Sequence, residues 1–529
     1  MRRYRPIALT LSQTEGHFMI GPVSAGGWAT GLLQELSNPV QGFKSACQMS
    51  AEMAQGGGVT SESLLKDSLK QIANIDRGLQ GGNAFLETNP DAMREAKARD
   101  QERANGRVRG YLHGVPIALK DVFETNDRMQ TSAGSKALVG APAARNAKVV
   151  DNLLKAGVVI VGKTNMSELS NFRSLKSADG WSSRGGQTLN PHRLGGTVAG
   201  SSSGSAVAVA QGHVPVALGL ETNGSIISPA AYNGVFGLKT TTGLVSTEGV
   251  MTSTRMDAVG TFTRNICDAA EALNAMTETN VYTEGLHADA LKGKRIGYTP
   301  LPELSAEESK DPAKRADRKH YEAALEVMKA QGAILVPLER LDAGVPDEAY
   351  EGYNEAIFSE VKQQLEDYLA GREGLPVKSL AELIAFIKRT QKPDEPDQKL
   401  LEMINELETT PQKREVLWEA ILPVFQKTID DPLKEHKLDA MVSNFLTHNY
   451  FYSAAAGYPG ISVPSGMDDE GMPTAIYVYG SGKSEATLLS VAHGYEQASQ
   501  AIQEPAFLPG APSTQTPDSP DKTVEATNG

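Results

Sequence analysis

AGSSSGSA (199–206), followed closely by LETNGS (220–225), decides how this chain is read. Serines crowded among glycines make a flexible linker when polar sequence surrounds them. Here apolar, β-branched and alanine-rich residues flank them, which predicts a loop built into a core. Small residues held rigidly inside a fold suit backbone N–H groups aimed at a developing negative charge. Outward from that loop, short apolar runs at 115–119, 158–161 and 214–220 alternate with helical patterns at Lys148–Ala156 and 205–211. Such alternation predicts an α/β layer structure with buried strands.

Further strands are expected at Arg295–Tyr298, 333–337, 461–464 and 475–479, with helices at 312–331 and 485–502. Residues 37–102 read as largely helical, interrupted by Gly56, Gly57 and Gly58. The segment SESLLKDSL (61–69) opens on cap-type serines before apolar residues at helical spacing. Residues 345–440 are charged and helical, without glycine-rich loops, and are expected to form a helical insertion that shapes a substrate pocket. The domain organisation expected is an N-terminal tail at 1–27, one domain at 28–505 and a disordered tail at 506–529. That last stretch is rich in Pro, Ser, Thr and Asp. There is no internal repeat.

Composition narrows the function classes. In 529 residues, 40% hydrophobic and 22% charged content is ordinary for a globular chain with a large core. A net charge of −13 argues against a general nucleic-acid binder, which needs a basic face. Two cysteines, Cys47 and Cys267, exclude a disulfide framework and leave one optional bridge. No apolar run approaches the roughly 20 residues of a membrane helix, and the N-terminus makes a poor signal peptide. A soluble cytoplasmic protein without membrane partners is the expectation.

Three motifs tempt and fail. GVVIVGKT (157–164) matches the phosphate-loop spacing, but its four intervening residues are Val-Val-Ile-Val, which read as a buried strand. GSSSG (200–204) matches the nucleophile elbow centred on Ser202, yet the preceding LNPHRLGGTVA is a weak strand and no histidine partner stands out. The sequons at Asn165 and Asn223 read as chance matches, the second because a glycan there would block the loop. The nine histidines form no metal-ligand pattern such as HExxH.

GVPIALKD (114–121), AGVVIVGKTNMSEL (156–169), the serine blocks around Ser201 and Ser225, and GYPGISVPSG (457–466) stand in one order. Together they resemble the amidase signature family over residues 61–501. The resemblance implies a single α/β/α domain with a central mixed sheet. It also implies hydrolysis of a carboxylic amide C–N bond (linear amides other than peptide bonds) with neither metal nor cofactor. Carried across by position, the family's Ser-cisSer-Lys triad falls on Ser225 as nucleophile, Ser201 as relay at a cis peptide, and Lys120 as base. WSSRGGQT (181–188) and the triple serine are similar to the peptide-amidase branch, whose substrates are peptide amides and other small amides. Asn223 departs from that branch, where Asp is common; it keeps the size and loses the charge. The block MDAVGT (256–261) is also less typical. The oligomeric state stays open, a homodimer among the options. The alternatives are a catalytically impaired binding protein and a glutaminase-type amidotransferase subunit.

The chemistry is coherent without the family name. Amide hydrolysis needs a nucleophile, a base, an oxyanion site and an acid for the leaving nitrogen. A lysine is a base only when neutral, and moving its pKa from about 10.4 to near 7 takes roughly 4 to 5 kcal/mol. Lys120 closes the apolar run VPIAL, so a buried strand end can supply that, with Asp121 expected on the opposite face. Thr222, Asn223 and Gly224, with Ser225, offer backbone N–H groups for the oxyanion, and IISPAA (226–231) reads as a helix start.

Overall fold

Buried apolar runs assemble into one mixed sheet of 11 strands in the computed structural model. The structure describes residues 43–505, apart from 78–80, 177, 253, 342 and 343. The expected tails at 1–27 and 506–529 lie outside the described residues. In chain order the strands are β1 (Phe85–Thr88), β2 (Pro116–Lys120), β3 (Val159–Thr164), the small hairpin β4 (Trp181–Ser182) and β5 (Gly186–Gln187), β6 (Val216–Glu221) and β7 (Phe236–Lys239). There follow β8 (Ala258–Thr263), β9 (Arg295–Tyr298), β10 (Ile334–Pro337), β11 (Ala440–Asn444), β12 (Gly460–Met467) and β13 (Pro473–Tyr479). The main sheet runs in the order β1-β3-β2-β6-β8-β7-β12-β13-β11-β9-β10.

β2 lies parallel between β3 and β6, with Lys120 beside Thr164 and Ala118 beside Ala217. All residues of these three strands are buried, because helices cover both faces of a parallel segment. One covering helix, Ser203–Ala210, is buried at every position. Its Ser, Gly, Ala and Val side chains leave no polar face to turn to water. Gly204 at its start touches Asn165 and Ala84 backbone so closely that a Cβ has no room. The loop of small residues is thus part of the core.

Strands β7 and β8 are not among the runs named from the sequence, and two further stretches depart from its reading. β1 interrupts the region read as helical, pairing antiparallel with β3 through only four residues. β11 begins at Ala440, where the helical reading ended, and pairs with β13 and β9. Between β10 and β11 run the helices Asp347–Gly371, Leu380–Thr390, Lys399–Glu406 and Pro411–Glu435. Rings from this insertion (Tyr350, Tyr353, Trp418 and Phe425) pack with Phe451 and Tyr452 in edge and stacked contacts.

Near the N-terminal end of the described residues, helix Ala46–Gln55 starts from a Ser45 capping box. Ala46 and Cys47 donate their backbone N–H to the Asp268 carboxylate at 2.8 and 3.0 Å, and Cys47 is bridged to Cys267. The sequence left that pairing open. Among the described residues no helix is long and apolar enough to cross a membrane.

Candidate active site

Lys120 ends β2, Glu221 ends β6, and the loop before helix Ser203–Ala210 lies beside both. Lys120 Nζ donates to Ser201 Oγ at 2.7 Å and to the Leu220 carbonyl at 3.1 Å. Ser201 Oγ donates in turn to Ser225 Oγ at 3.0 Å. Lys120 and Ser201 are fully buried, and only Ser225, 8% exposed, reaches outward. The peptide bond Gly200–Ser201 is cis. Burial pushes the Lys120 ammonium from its ordinary 10.5 down to about 7, against the opposing pull of Asp257 and Glu221. An amine at that value is half neutral near neutral pH, so it can take a proton through two hydroxyls.

The turn carrying Ser225 is fixed from behind. Glu221 accepts the backbone N–H groups of Ile226 and Ile227 at 2.6 and 2.9 Å, occupying the start of helix Ile227–Tyr232. Gly224 has φ +81°, and a Cβ there would meet the Tyr450 ring at 2.9 Å. Thr222 Oγ1 donates to Asp257 at 2.6 Å, and Asn223 Nδ2 donates to Tyr353 Oη at 3.2 Å. Ser202 N–H also donates to the Ser225 carbonyl at 3.2 Å, tying the two serine loops together.

The structure therefore brings Lys120, Ser201 and Ser225 into one chain, with Thr222, Asn223 and Gly224 on the adjoining turn. Of the motifs set aside above, the Asn223 sequon lies on this turn, while the key residues of the others are placed differently. Ser202 Oγ donates to the Leu220 carbonyl at 3.2 Å, deep in the core. Lys163 of the phosphate-loop match projects from strand β3 into backbone carbonyls. Asn165 is fully buried, with its amide donating to Gly186 O and Thr188 Oγ1. Asp121 faces away from the serines, accepting from Ser132 and Gly134 and pairing with Arg184. Sequence reasoning missed Glu221, Asp257 and Tyr353. A carboxylate just before a helix start was a readable signal for Glu221; Tyr353, 130 positions from Asn223, had none.

This buried lysine joined through a cis-peptide serine to a second serine, on an 11-stranded mixed sheet, defines a class: the chain belongs to the amidase signature family. The amidase family model matches residues 63–489. Among individual relatives, the peptide amidase of Stenotrophomonas maltophilia has a solved structure that is 36% identical, with a TM-score of 0.79 over 88% of this chain and 98% of that one. A probable amidase of Arabidopsis thaliana is 34% identical over 477 residues, 85% of this chain and 89% of its own. One glutamyl-tRNA(Gln) amidotransferase subunit, from Synechococcus sp. (strain CC9311), is 30% identical over 87% of this chain and 98% of its own.

Proposed function

We propose that the chain hydrolyses carboxylic amides of small molecules or amidated peptides, rather than internal peptide bonds, through an acyl-enzyme on Ser225. The observation that carries this reading is the continuous contact Lys120 Nζ–Ser201 Oγ–Ser225 Oγ, at 2.7 and 3.0 Å, with its outer end alone exposed. Likeness to a peptide amidase supports the substrate class.

Neutral Lys120 accepts the proton of Ser201, which accepts that of Ser225, and Ser225 Oγ bonds to the carbonyl carbon. The oxyanion is held by backbone N–H groups of the Thr222–Ser225 turn, since Glu221 already takes those of Ile226 and Ile227. Collapse breaks the C–N bond, and the proton returns through Ser201 to the leaving nitrogen. Water then attacks the acyl-enzyme by the same relay and frees the acid. Each step uses this chain's own groups.

Purified protein screened against peptide, aryl and fatty amides should turn over at least one class, with Ser225→Ala as an inactive blank. A fluorophosphonate should label Ser225. Labelling of Ser202, or full turnover by Ser225→Ala, overturns the reading. The 30% likeness to the amidotransferase subunit carries the second reading, which needs an ATP-dependent partner to co-purify.

A further inference from the structure

Asn223 stands two residues before the nucleophile proposed above, and its side chain is tied to the helical insertion. Its Nδ2 donates to Oη of Tyr353, on helix Asp347–Gly371, at 3.2 Å. Asn223 is partly exposed, whereas Tyr353 is 3% exposed. The Tyr353 ring is held edge-on by Trp418, Phe425 and Phe451, with centroids at 6.0, 5.7 and 5.4 Å. A phenol fixed on three sides is a rigid anchor. Burial raises its pKa, so it stays a neutral hydroxyl.

The neighbouring Thr222 is set by the same insertion through a second route. It donates to Asp257, and Arg255 of that loop donates its backbone N–H to Glu360 at 2.6 Å. Glu360 also accepts from Trp418 Nε1 at 2.9 Å. Both residues that lead into Gly224 and Ser225 are therefore aligned by contacts with the insertion or with a loop clamped to it.

A carboxamide has one donating and one accepting end. With the nitrogen given to Tyr353, Oδ1 remains the accepting end of a half-buried side chain two residues from Ser225. We propose that Tyr353 is a positioning residue, holding Asn223 so that its Oδ1 accepts the N–H of the amide being cleaved. The inference rests on the assignment of Ser225 as nucleophile. It makes the pair a selector for amides over esters, since an ester leaving group has no N–H to donate.

The test compares the primary amide of the panel that wild type cleaves fastest with the p-nitrophenyl ester of the same acyl group. Tyr353→Phe, which keeps the ring, should lower kcat/KM on the amide about tenfold and leave the ester within about twofold. Asn223→Ala should do the same, and the double variant should lose no more than either single change. Tyr350→Phe is the control: it removes a hydroxyl of the same ring cluster, bonded to Tyr452 at 2.9 Å, and should change neither substrate. Equal loss on amide and ester, additive losses in the double variant, or the same effect from Tyr350→Phe overturns the proposal and leaves Ser225 untouched. Turnover by Ser225→Ala, or no amide cleavage by wild type, instead removes the reading on which it rests. Wild-type fluorophosphonate labelling of Tyr353→Phe keeps misfolding out of the comparison.

Discussion

Two adjacent strands carry fully buried lysines, Lys120 as the last residue of β2 and Lys163 as the last but one of β3, and their surroundings are built differently. On β3, Lys163 Nζ donates to the Phe123 carbonyl at 2.7 Å, the Gln130 carbonyl at 3.0 Å and Thr131 Oγ1 at 2.9 Å. Three acceptors match the three donors of an ammonium, and two of them are carbonyls with no proton to exchange. On β2, Lys120 has one carbonyl and one serine hydroxyl. That set suits a neutral amine, whose lone pair can accept from the hydroxyl. Burial lowers both lysines, but only the hydroxyl beside Lys120 continues to a second hydroxyl, that of Ser225. Burial alone therefore does not suit a lysine to act as a base; the second requirement is a hydroxyl that leads on to another hydroxyl, as Ser201 leads to Ser225, whereas Thr131 Oγ1 ends on the Phe123 carbonyl at 3.2 Å. Lys239, bonded to the Thr240 and Tyr458 carbonyls, falls on the structural side of this division although burial takes it to about 8.

The sharpest way to break this comparison is to replace each lysine by methionine. Lys120→Met should lower kcat/KM on amides by about 10³ or more, since the proposed base is lost and Ser201 is left with no group to take its proton. It should also stabilise the fold near pH 7. The folded pKa lies below the unfolded one, so the unfolded chain binds the extra proton between pH 7 and 10.5, and the penalty fades as pH rises. Its removal is worth on the order of 2–4 kcal/mol at pH 7, less the bond lost to Leu220. Lys163→Met should do the reverse, costing about 3–5 kcal/mol by stranding buried carbonyls. Urea titrations at pH 7 and pH 10, read with the kinetics, check both directions. A Lys120→Met protein that unfolds more easily at pH 7 would show that its ammonium is as structural as that of Lys163.

A second test sharpens the role of the hydroxyl. Ser201→Ala should reduce kcat/KM by about 10²–10⁴ while leaving Ser225 in place. Because Lys120 titrates near 7, the wild-type rate should climb about tenfold per pH unit below that value and level off above it. Lys239→Met should leave the midpoint of that limb where it is. A limb that moves with Lys239 would assign the base to the wrong strand.

The difference between the two lysines was only half legible in the sequence. Both follow apolar runs, VPIAL before Lys120 and VVIVG before Lys163, but only Lys120 reads from the sequence as a buried strand end. What separates them is which loop arrives above. Ser201 comes from 81 positions away and the Phe123 carbonyl from 40, and no local pattern encodes such meetings. The α/β alternation was readable because buried strands and amphipathic helices carry their own periods. β1 was not, since three of its four residues are only half-buried and it is embedded in helical sequence. β11 followed a 25-residue helix almost directly and its AMVSN offered too short a run. The resemblance to a known family made Lys120, Ser201 and Ser225 candidates, whereas Asp257 and Tyr353 reach the site only through tertiary contacts.

The smallest expected effect probes how strongly the site feels charge. Asn223→Asp keeps the shape, and the Tyr353 hydroxyl can donate to the new carboxylate in place of accepting from the amide. Burial already lowers Lys120 against the pull of two carboxylates, Asp257 and Glu221. A third negative charge on the same turn favours the ammonium again. The midpoint of the acid limb should therefore move up, by about 0.5–1 pH unit at the effective dielectric of a partly buried site. At pH 7 the rate falls a few-fold, and above pH 9 it returns to the level set by hydrogen bonding alone. Lys163, held by carbonyls of the loop that follows β2, should give no kinetic response to the same substitution. A profile of kcat/KM against pH that keeps its midpoint in Asn223→Asp would mean that the lysine is screened from the turn, and the asparagine would then act on the substrate only through its hydrogen bond.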